Sequence, residues 1–215
     1  VHISGEISSE TLQTGYIKWP RVPLLADSYE GYELSSSTNH NAGLHNEYFP
    51  WHAFNELPHY ESNWTPSWAS LANTFTSGAA NTSRTTGEDT FNHEWVQIKF
   101  PQAIRVSYLR MKGTTGSHSG GYTPKSGRVY ASNDGGVNWT KVSTYSGLSY
   151  ASGDDYATVK LESAASYDYW RVCFTETTGG STIVQADEIR FFEAATGVGA
   201  PPTSAKLQVH GSLGM

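Results

Sequence analysis

The stretch Ser126-Gly127-Arg128-Val129-Tyr130-Ala131-Ser132-Asn133-Asp134-Gly135-Gly136, with Trp139 close behind, decides the fold. Arg128 to Ser132 is a short strand. Asn-Asp-Gly-Gly is turn chemistry, because these residues tolerate the backbone angles that a tight hairpin demands. A second strand, Asn138 to Thr144, returns from it. Working outward, Trp95-Val96-Gln97-Ile98-Lys99-Phe100 alternates and stops at Pro101. Val106 to Met111 and Ala157 to Leu161 alternate as well, and Tyr169 to Thr175 and Ile189 to Phe192 close the set. Short strands at regular spacing, separated by Gly, Pro, Asn and Asp, predict an all-β sandwich. No segment has helical periodicity. Residues 16–65 read as strand-poor and turn-rich, since Pro20, Pro23, Pro50 and Pro58 break any long helix. Trp51 to Asn55 is expected to form one short helical turn.

The 215 residues suffice for one β-domain with extensions, and aromatics at 13% can fill a core or line a site. Charged residues are only 16%, which suits a loop-rich extracellular-type domain. The net charge of -6 argues against nucleic acid as a partner, because binding there needs a basic surface. No apolar run approaches the ~20 residues that span a bilayer, so no membrane insertion is expected. No basic segment followed by an apolar one opens the chain, so no signal peptide is expected. Cys173 is the single cysteine, which excludes an internal disulfide and fits assembly in a reducing compartment. Between Val172 and Phe174 it is expected to pack as a small apolar residue.

A series of ordered segments resembles the discoidin, or coagulation factor 5/8 type C, family. They begin near Val22-Pro23-Leu24, continue through Leu34 to Thr38, and take in Tyr48 to Asn55. Glu94-Trp95-Val96-Gln97-Ile98 follows, then Pro124 to Gly135 with Trp139. Tyr169-Trp170-Arg171-Val172 and Ala186 to Phe192 complete the series. The family's early Trp falls on Trp64 or Trp68. The resemblance implies a discoidin-like jelly-roll β-sandwich that binds sugars or other surface ligands through loops at one end, without catalysis. The family's fucose-binding branch uses one His and two Arg. No arginine here has the matching spacing, so fucose is not expected.

Val1-His2-Ile3-Ser4-Gly5-Glu6-Ile7 and Leu207-Gln208-Val209-His210-Gly211-Ser212-Leu213 share one apolar/Gly pattern. Each reads as a short bent strand. They resemble the strands that punctuate trimeric phage and viral tail-fibre proteins. Three regions result: a fibre or linker segment over 1–20, the sandwich over 21–195, and a linker with a fibre-type strand over 196–215. Ala200-Pro201-Pro202 stiffens that linker. The resemblance implies a homotrimeric attachment protein on a virion surface, otherwise extracellular, with a host cell-surface glycan as partner.

Sugar binding needs flat rings for the apolar ring face and planar amides or imidazoles for hydroxyls. The candidate loops are 43–52, 59–68, 113–123 and 176–184. Their candidate ligand contacts are Trp51, His52, His59, Tyr60, Trp64, His118 and Tyr122. Trp95, Trp139 and Trp170 lie in strand patterns and are expected in the core. The resemblance also implies a structural Ca2+ held by Asn55 and Glu188. Asn55 stands where the family prefers Asp, and the alternative is a plain Asn turn with a paired Glu188.

The eight histidines show no zinc spacing. Gly116-Ser117-His118-Ser119-Gly120 has His where a hydrolase elbow needs its serine. Asp154-Asp155 sit beside Gly153 as turn residues. No paired carboxylates at glycosidase separation are apparent. The domain is therefore read as a non-enzyme. A fibre spacer and an accessory domain of a polysaccharide-degrading enzyme are the alternatives.

Overall fold

The computed structural model describes residues 15–40, 48–56, 67–113, 121–150, 156–161 and 165–194. Val1 to Ile7 and Leu207 to Leu213 lie outside them. In chain order the strands are β1 (Tyr16–Trp19), β2 (Ser28–Tyr29) and β3 (Tyr32–Ser36), followed by a 3-10 turn at Pro50–Phe54. Then come β4 (Trp68–Ala69), β5 (Phe75–Thr76), β6 (Ala79–Ala80), β7 (Ser83–Thr86) and β8 (Asp89–Asn92). The long strands follow: β9 (Glu94–Ile104), β10 (Val106–Lys112), β11 (Pro124–Ser132), β12 (Thr140–Tyr145), β13 (Tyr156–Lys160) and β14 (Tyr167–Thr177). The short β15 (Gln185–Ala186) and β16 (Glu188–Ala194) end the series.

Two antiparallel sheets face each other. One runs β1-β16-β10-β13. The other runs β12-β11-β14-β9-β3-β2, with β5 and β6 attached through β14. The β7–β8 hairpin stands apart from both. Among the described residues no helix is long and apolar enough to cross a membrane.

Alternation explains the layers. Along β9, Val96, Ile98 and Phe100 point inward while Trp95, Gln97 and Lys99 point out. Phe100 is 1% exposed and joins the layers. It meets Trp19 at 5.9 Å, Tyr32 at 5.8 Å and Phe191 at 5.4 Å, all edge-on. Trp170 packs on Phe191 as well, and Trp68 stacks on Phe174 at 5.3 Å. Such edge-on and offset contacts suit the ring quadrupoles. Cys173 is buried, and desolvation pushes its thiol up to about 12. Gly127 is required by close approach. A Cβ there would lie 1.9 Å from the Cys173 carbonyl oxygen, the atom that accepts the Tyr145 hydroxyl at 2.9 Å.

Residues 16–65 hold more strand than their composition suggests. β3 pairs with β9 from Glu33–Lys99 to Ser36–Val96, and β1 pairs with β16. Tyr32 and Leu34 alternate inward, but Ser and Glu between them lower the strand propensity. Glu30 and Gly31, at φ 50 and 81, make the turn that starts β3.

Both sheets share their polarity. Lys112 pairs with Glu188 in one sheet and Pro124 with Thr177 in the other. Gly113 abuts Thr123 between them, so these positions form one end. At the opposite end Tyr16 pairs with Ala194, and the chain enters and leaves the body side by side.

Because Phe100 touches rings of both layers, Phe100→Ala should cost about 3–5 kcal/mol, measured by urea unfolding. Phe100→Leu should cost well under half of that. Equal effects from both substitutions would contradict this packing role.

Candidate functional site

At the loop end, Glu94 begins β9 with its side chain fully buried. Its Oε1 accepts from Arg84 Nη2 at 2.8 Å and Arg84 Nε at 3.2 Å. Its Oε2 accepts from the Ser37 hydroxyl and from Thr38 Oγ1 at 2.7 Å. Ser37 Oγ in turn accepts the Trp95 amide at 2.8 Å. One carboxylate thus ties β7, the loop after β3 and the start of β9. Thr38 extends the network: its carbonyl accepts Trp68 Nε1 at 3.2 Å, and its hydroxyl accepts the Leu71 amide at 2.9 Å. Leu71 is left 47% exposed.

Further loops converge here backbone to backbone. A Cβ on Gly78 would lie 2.2 Å from the Gly179 oxygen, and one on Gly121 would lie 3.0 Å from Gly179 Cα. Both glycines have positive φ, so these positions favour glycine twice over. Tyr122 is half-buried, and its carbonyl accepts the Gln185 amide at 2.9 Å.

Trp51 and His52 lie in the 3-10 turn. Trp51 is half-buried, donates its amide to Asp27 Oδ1 at 3.2 Å, and stacks on the His52 ring at 3.5 Å. His52 is 5% exposed, and its Nδ1 accepts from Asn55 Nδ2 at 3.0 Å. The structure therefore places Trp51 at the surface with His52 beneath it. His59, Tyr60, Trp64 and His118 lie outside the described residues.

His40 belongs to no motif in the sequence. Its amide bonds the Ala69 carbonyl at 2.9 Å, and its ring meets Tyr48 edge-on at 5.1 Å. Its Nδ1 is buried without a hydrogen bond, and desolvation lowers its pKa. The Asn-rich loop around it carried no signal beyond composition.

Two tryptophans expected in the core are not there. Trp170 is core at 0% exposure, but Trp95 and Trp139 sit half-buried on the outer face of the larger sheet. They clamp the Arg171 guanidinium at 4.1 and 4.2 Å. Gln97 Oε1 accepts from Arg171 Nη2 at 2.7 Å, and Thr86 Oγ1 accepts from Nη1 at 3.1 Å. Beside them His93 is fully buried, stacked on Phe91 at 4.0 Å, with Nδ1 near the Phe91 carbonyl and Nε2 near Thr86 Oγ1. Burial pushes its pKa down to about 4.

Asn55 and Glu188 do come together. Both are buried, and Glu188 Oε2 accepts the Glu56 amide at 2.9 Å. Glu188 Oε1 is buried with no hydrogen bond and faces Arg190 Nε at 3.8 Å. Desolvation pushes the Glu188 carboxyl up to about 8. Among the described residues no three His, Cys, Asp or Glu side chains form a metal cage. Glu188 Oε1 is a carboxylate oxygen of the kind a hard cation takes, but it faces the Arg190 guanidinium, and the Asn55 side chain bonds His52.

Residues 57–189 match the F5/8 type C domain. The chain belongs to this family. Its discoidin-like sandwich is shared with the module CpGH89CBM32-5 of Clostridium perfringens, solved with GalNAc-beta-1,3-galactose. That match has a TM-score of 0.53 at 15% identity and covers 76% of this chain and 96% of that one. An F5/8 type C domain from Bacteroides fragilis matches with a TM-score of 0.53 at 16% identity, over 80% and 95% of the two chains. The C-terminal domain of a chitobiase from Bacteroides fragilis matches with a TM-score of 0.52 at 14% identity, over 75% and 93%. No curated protein matches the chain. At these identities the likeness is one of fold.

In this F5/8 type C domain Glu94→Gln should lower stability by about 2–4 kcal/mol, since it leaves the Arg84 charge unmatched at a buried contact. Urea unfolding measures this, and a neutral result would show the tie to be dispensable.

The pH dependence has two signs. His93 binds its proton more weakly in the fold than its ordinary 6.5, so stability falls as pH drops from about 6.5 towards 4. Glu188 binds its proton more tightly than its ordinary 4.5, so it works the other way up to about pH 8. Chelated protein should therefore lose stability from about pH 6.5 to 8, and Glu188→Gln should abolish that loss. Unfolding curves across this range test both signs.

Proposed function

We propose that this domain is a non-catalytic carbohydrate-binding module whose ligand sits on the loop end. The observation that carries the reading is geometric. Among the described residues, Tyr122 and the turn that carries Trp51 lie by the end marked by Lys112–Glu188 and Pro124–Thr177, away from the end where Tyr16 and Ala194 pair. Trp51 and Tyr122 offer rings there, whereas His52, a candidate contact by sequence, is buried beneath Trp51 and supports that ring. His59, Tyr60, Trp64 and His118 are assigned to the same surface by their place in the sequence. The solved relative with a bound GalNAc-beta-1,3-galactose supports a neutral glycan as the ligand class. Glu94, the fully buried carboxylate at this end, is committed to Arg84 and two hydroxyls, which suits scaffolding rather than proton transfer.

A host cell-surface glycan, a homotrimeric fibre and a virion-surface location extend this reading. The matched patterns at Val1–Ile7 and Leu207–Leu213 support them. Three weak sites on one particle gain by avidity. The second reading is an accessory domain of a polysaccharide-degrading enzyme, favoured by the likeness to the chitobiase C-terminal domain. The structural Ca2+ that the resemblance implies is not assigned to Asn55 and Glu188, because Arg190 faces the free Glu188 oxygen and the Asn55 side chain bonds His52.

A glycan array probed with multivalently displayed protein tests the binding. Neutral galactose- or GalNAc-bearing glycans should score, with single-site Kd near ~1 mM, because a shallow site gains little over desolvation of hydroxyls. Tyr122→Ala should weaken binding by about tenfold in protein that circular dichroism shows to be folded. Silence across the array from folded, multivalent protein rejects the module reading. Sedimentation of the full chain as a trimer favours the fibre, and as a monomer the enzyme accessory.

A further inference from the structure

One imidazole at the loop end takes no part in the ties that hold it. The segment after β3 runs beside β4 and the residues that follow it. Thr38 Oγ1 accepts the Leu71 amide at 2.9 Å, and the His40 amide donates to the Ala69 carbonyl at 2.9 Å. Tyr48 sets its ring edge-on against the His40 ring at 5.1 Å. His40, Tyr48 and Leu71 thus share one neighbourhood, at the end of the sandwich where Glu94 begins β9 and pairs with Phe174. Leu71 is exposed, and His40 and Tyr48 are half-buried. Burial lowers the pKa of His40 below its ordinary 6.5, so the ring is neutral at pH 7.

A neutral imidazole has one N–H and one bare nitrogen, and the surroundings of the two decide which is which. Nδ1 of His40 is sealed from water and has no hydrogen bond. Nε2 makes no hydrogen bond among the described residues either, but it is not sealed in. An N–H buried without an acceptor is costlier than one that water reaches, so the proton belongs on Nε2. The ring therefore turns a donor outward beside the exposed Leu71. A bare buried nitrogen does nothing for packing: a phenyl ring would fill the same place against Tyr48 without it. Resting on the module reading above, we propose that His40 is a ligand-contacting residue of the loop end, whose Nε2–H donates to a hydroxyl oxygen of a neutral sugar packed against Leu71. A pyranose matches that pairing, since it offers an apolar face of C–H groups and hydroxyl oxygens that accept. His40 thereby supplies the imidazole donor that His52 does not, since His52 is buried and its Nδ1 is engaged with Asn55.

Titration of the full-length chain with methyl β-galactoside, followed by NMR, tests this. His40→Phe should weaken binding at least about tenfold, while its urea-unfolding midpoint stays level or rises because the bare buried nitrogen is gone. His40→Gln, whose amide nitrogen reaches the place of Nε2, should bind within about threefold of the natural chain. Ring proton–nitrogen spectra should show the His40 proton on Nε2, and that nitrogen should shift on addition of the sugar. His40→Leu, judged on binding alone, replaces His40→Phe should the latter fail to fold by circular dichroism. Unchanged binding by folded His40→Phe overturns the contact and leaves the module reading standing. Weaker binding joined to a lowered midpoint in His40→Phe also overturns it, since the ring is then a structural support. Binding by His40→Gln as weak as by His40→Phe, or a proton found on Nδ1, removes the donor and overturns it too. No response of the natural chain to this sugar overturns the role of His40, and the glycan array then decides the module reading separately.

Discussion

The loop end depends on one buried charge. Glu94 has no access to water, and a bare carboxylate in that position would be untenable. The chain answers with a guanidinium and two hydroxyls from two other segments, Arg84 on β7 and Ser37 and Thr38 after β3. Each of those donors is thereby fixed. Thr38 then holds Trp68 and Leu71 through its own carbonyl and hydroxyl. A charge whose burial is costly thus sets the relative positions of three loops that apolar packing alone would leave adjustable.

The β7–β8 hairpin follows from the same tie. Arg84 anchors its first strand, and its tip lies on Trp139, where a Cβ on Gly87 would come within 2.9 Å of the Trp139 carbonyl oxygen. Asp89 on its second strand accepts from Arg128, Tyr130 and Lys141. Polar contacts therefore hold down an element with little apolar face. Arg171 lies under this cover between two indoles, with Gln97 and Thr86 taking its N–H groups. Cation–π contact of this kind is stronger where water is excluded. That is why Trp95 and Trp139 serve the outer face while Trp170, one position from Arg171 and pointing the other way, fills the core.

Much of this architecture was legible in the sequence, and the boundary is physical. Trp95 to Phe100 and Val106 to Met111 bury one face, so alternation marks them, while the strand ending at Ser132 is buried nearly throughout and is marked by the Asn-Asp-Gly-Gly turn after it. β3, β7 and β8 are built of Ser, Thr, Glu and Asp, and their pairing comes from neighbours rather than propensity. The expectation that Trp95 and Trp139 are core failed because alternation gives the period and not the side that faces inward. Trp51, Tyr122, Asn55 and Glu188 are candidates that only the family resemblance singled out, and the structure links the turn to β16 through the Glu56 amide on Glu188. The Lys18–Glu56 ion pair had no such signal. Its partners are 38 positions apart, and nothing in a local window joins a lysine on an edge strand to a loop glutamate.

The division of labour across the sandwich bears on how such a domain can bind. Its entry and exit strands, β1 and β16, are paired at one end, so a pull or a neighbouring segment acts there. The loop end is tied instead by Glu94, by Gly78 and Gly121 against Gly179, and by the contact between Glu56 and Glu188. None of these ties uses the faces of Trp51 or Tyr122. On the module reading proposed above, repetition of the domain, rather than closure around the ligand, is the physical route to useful strength.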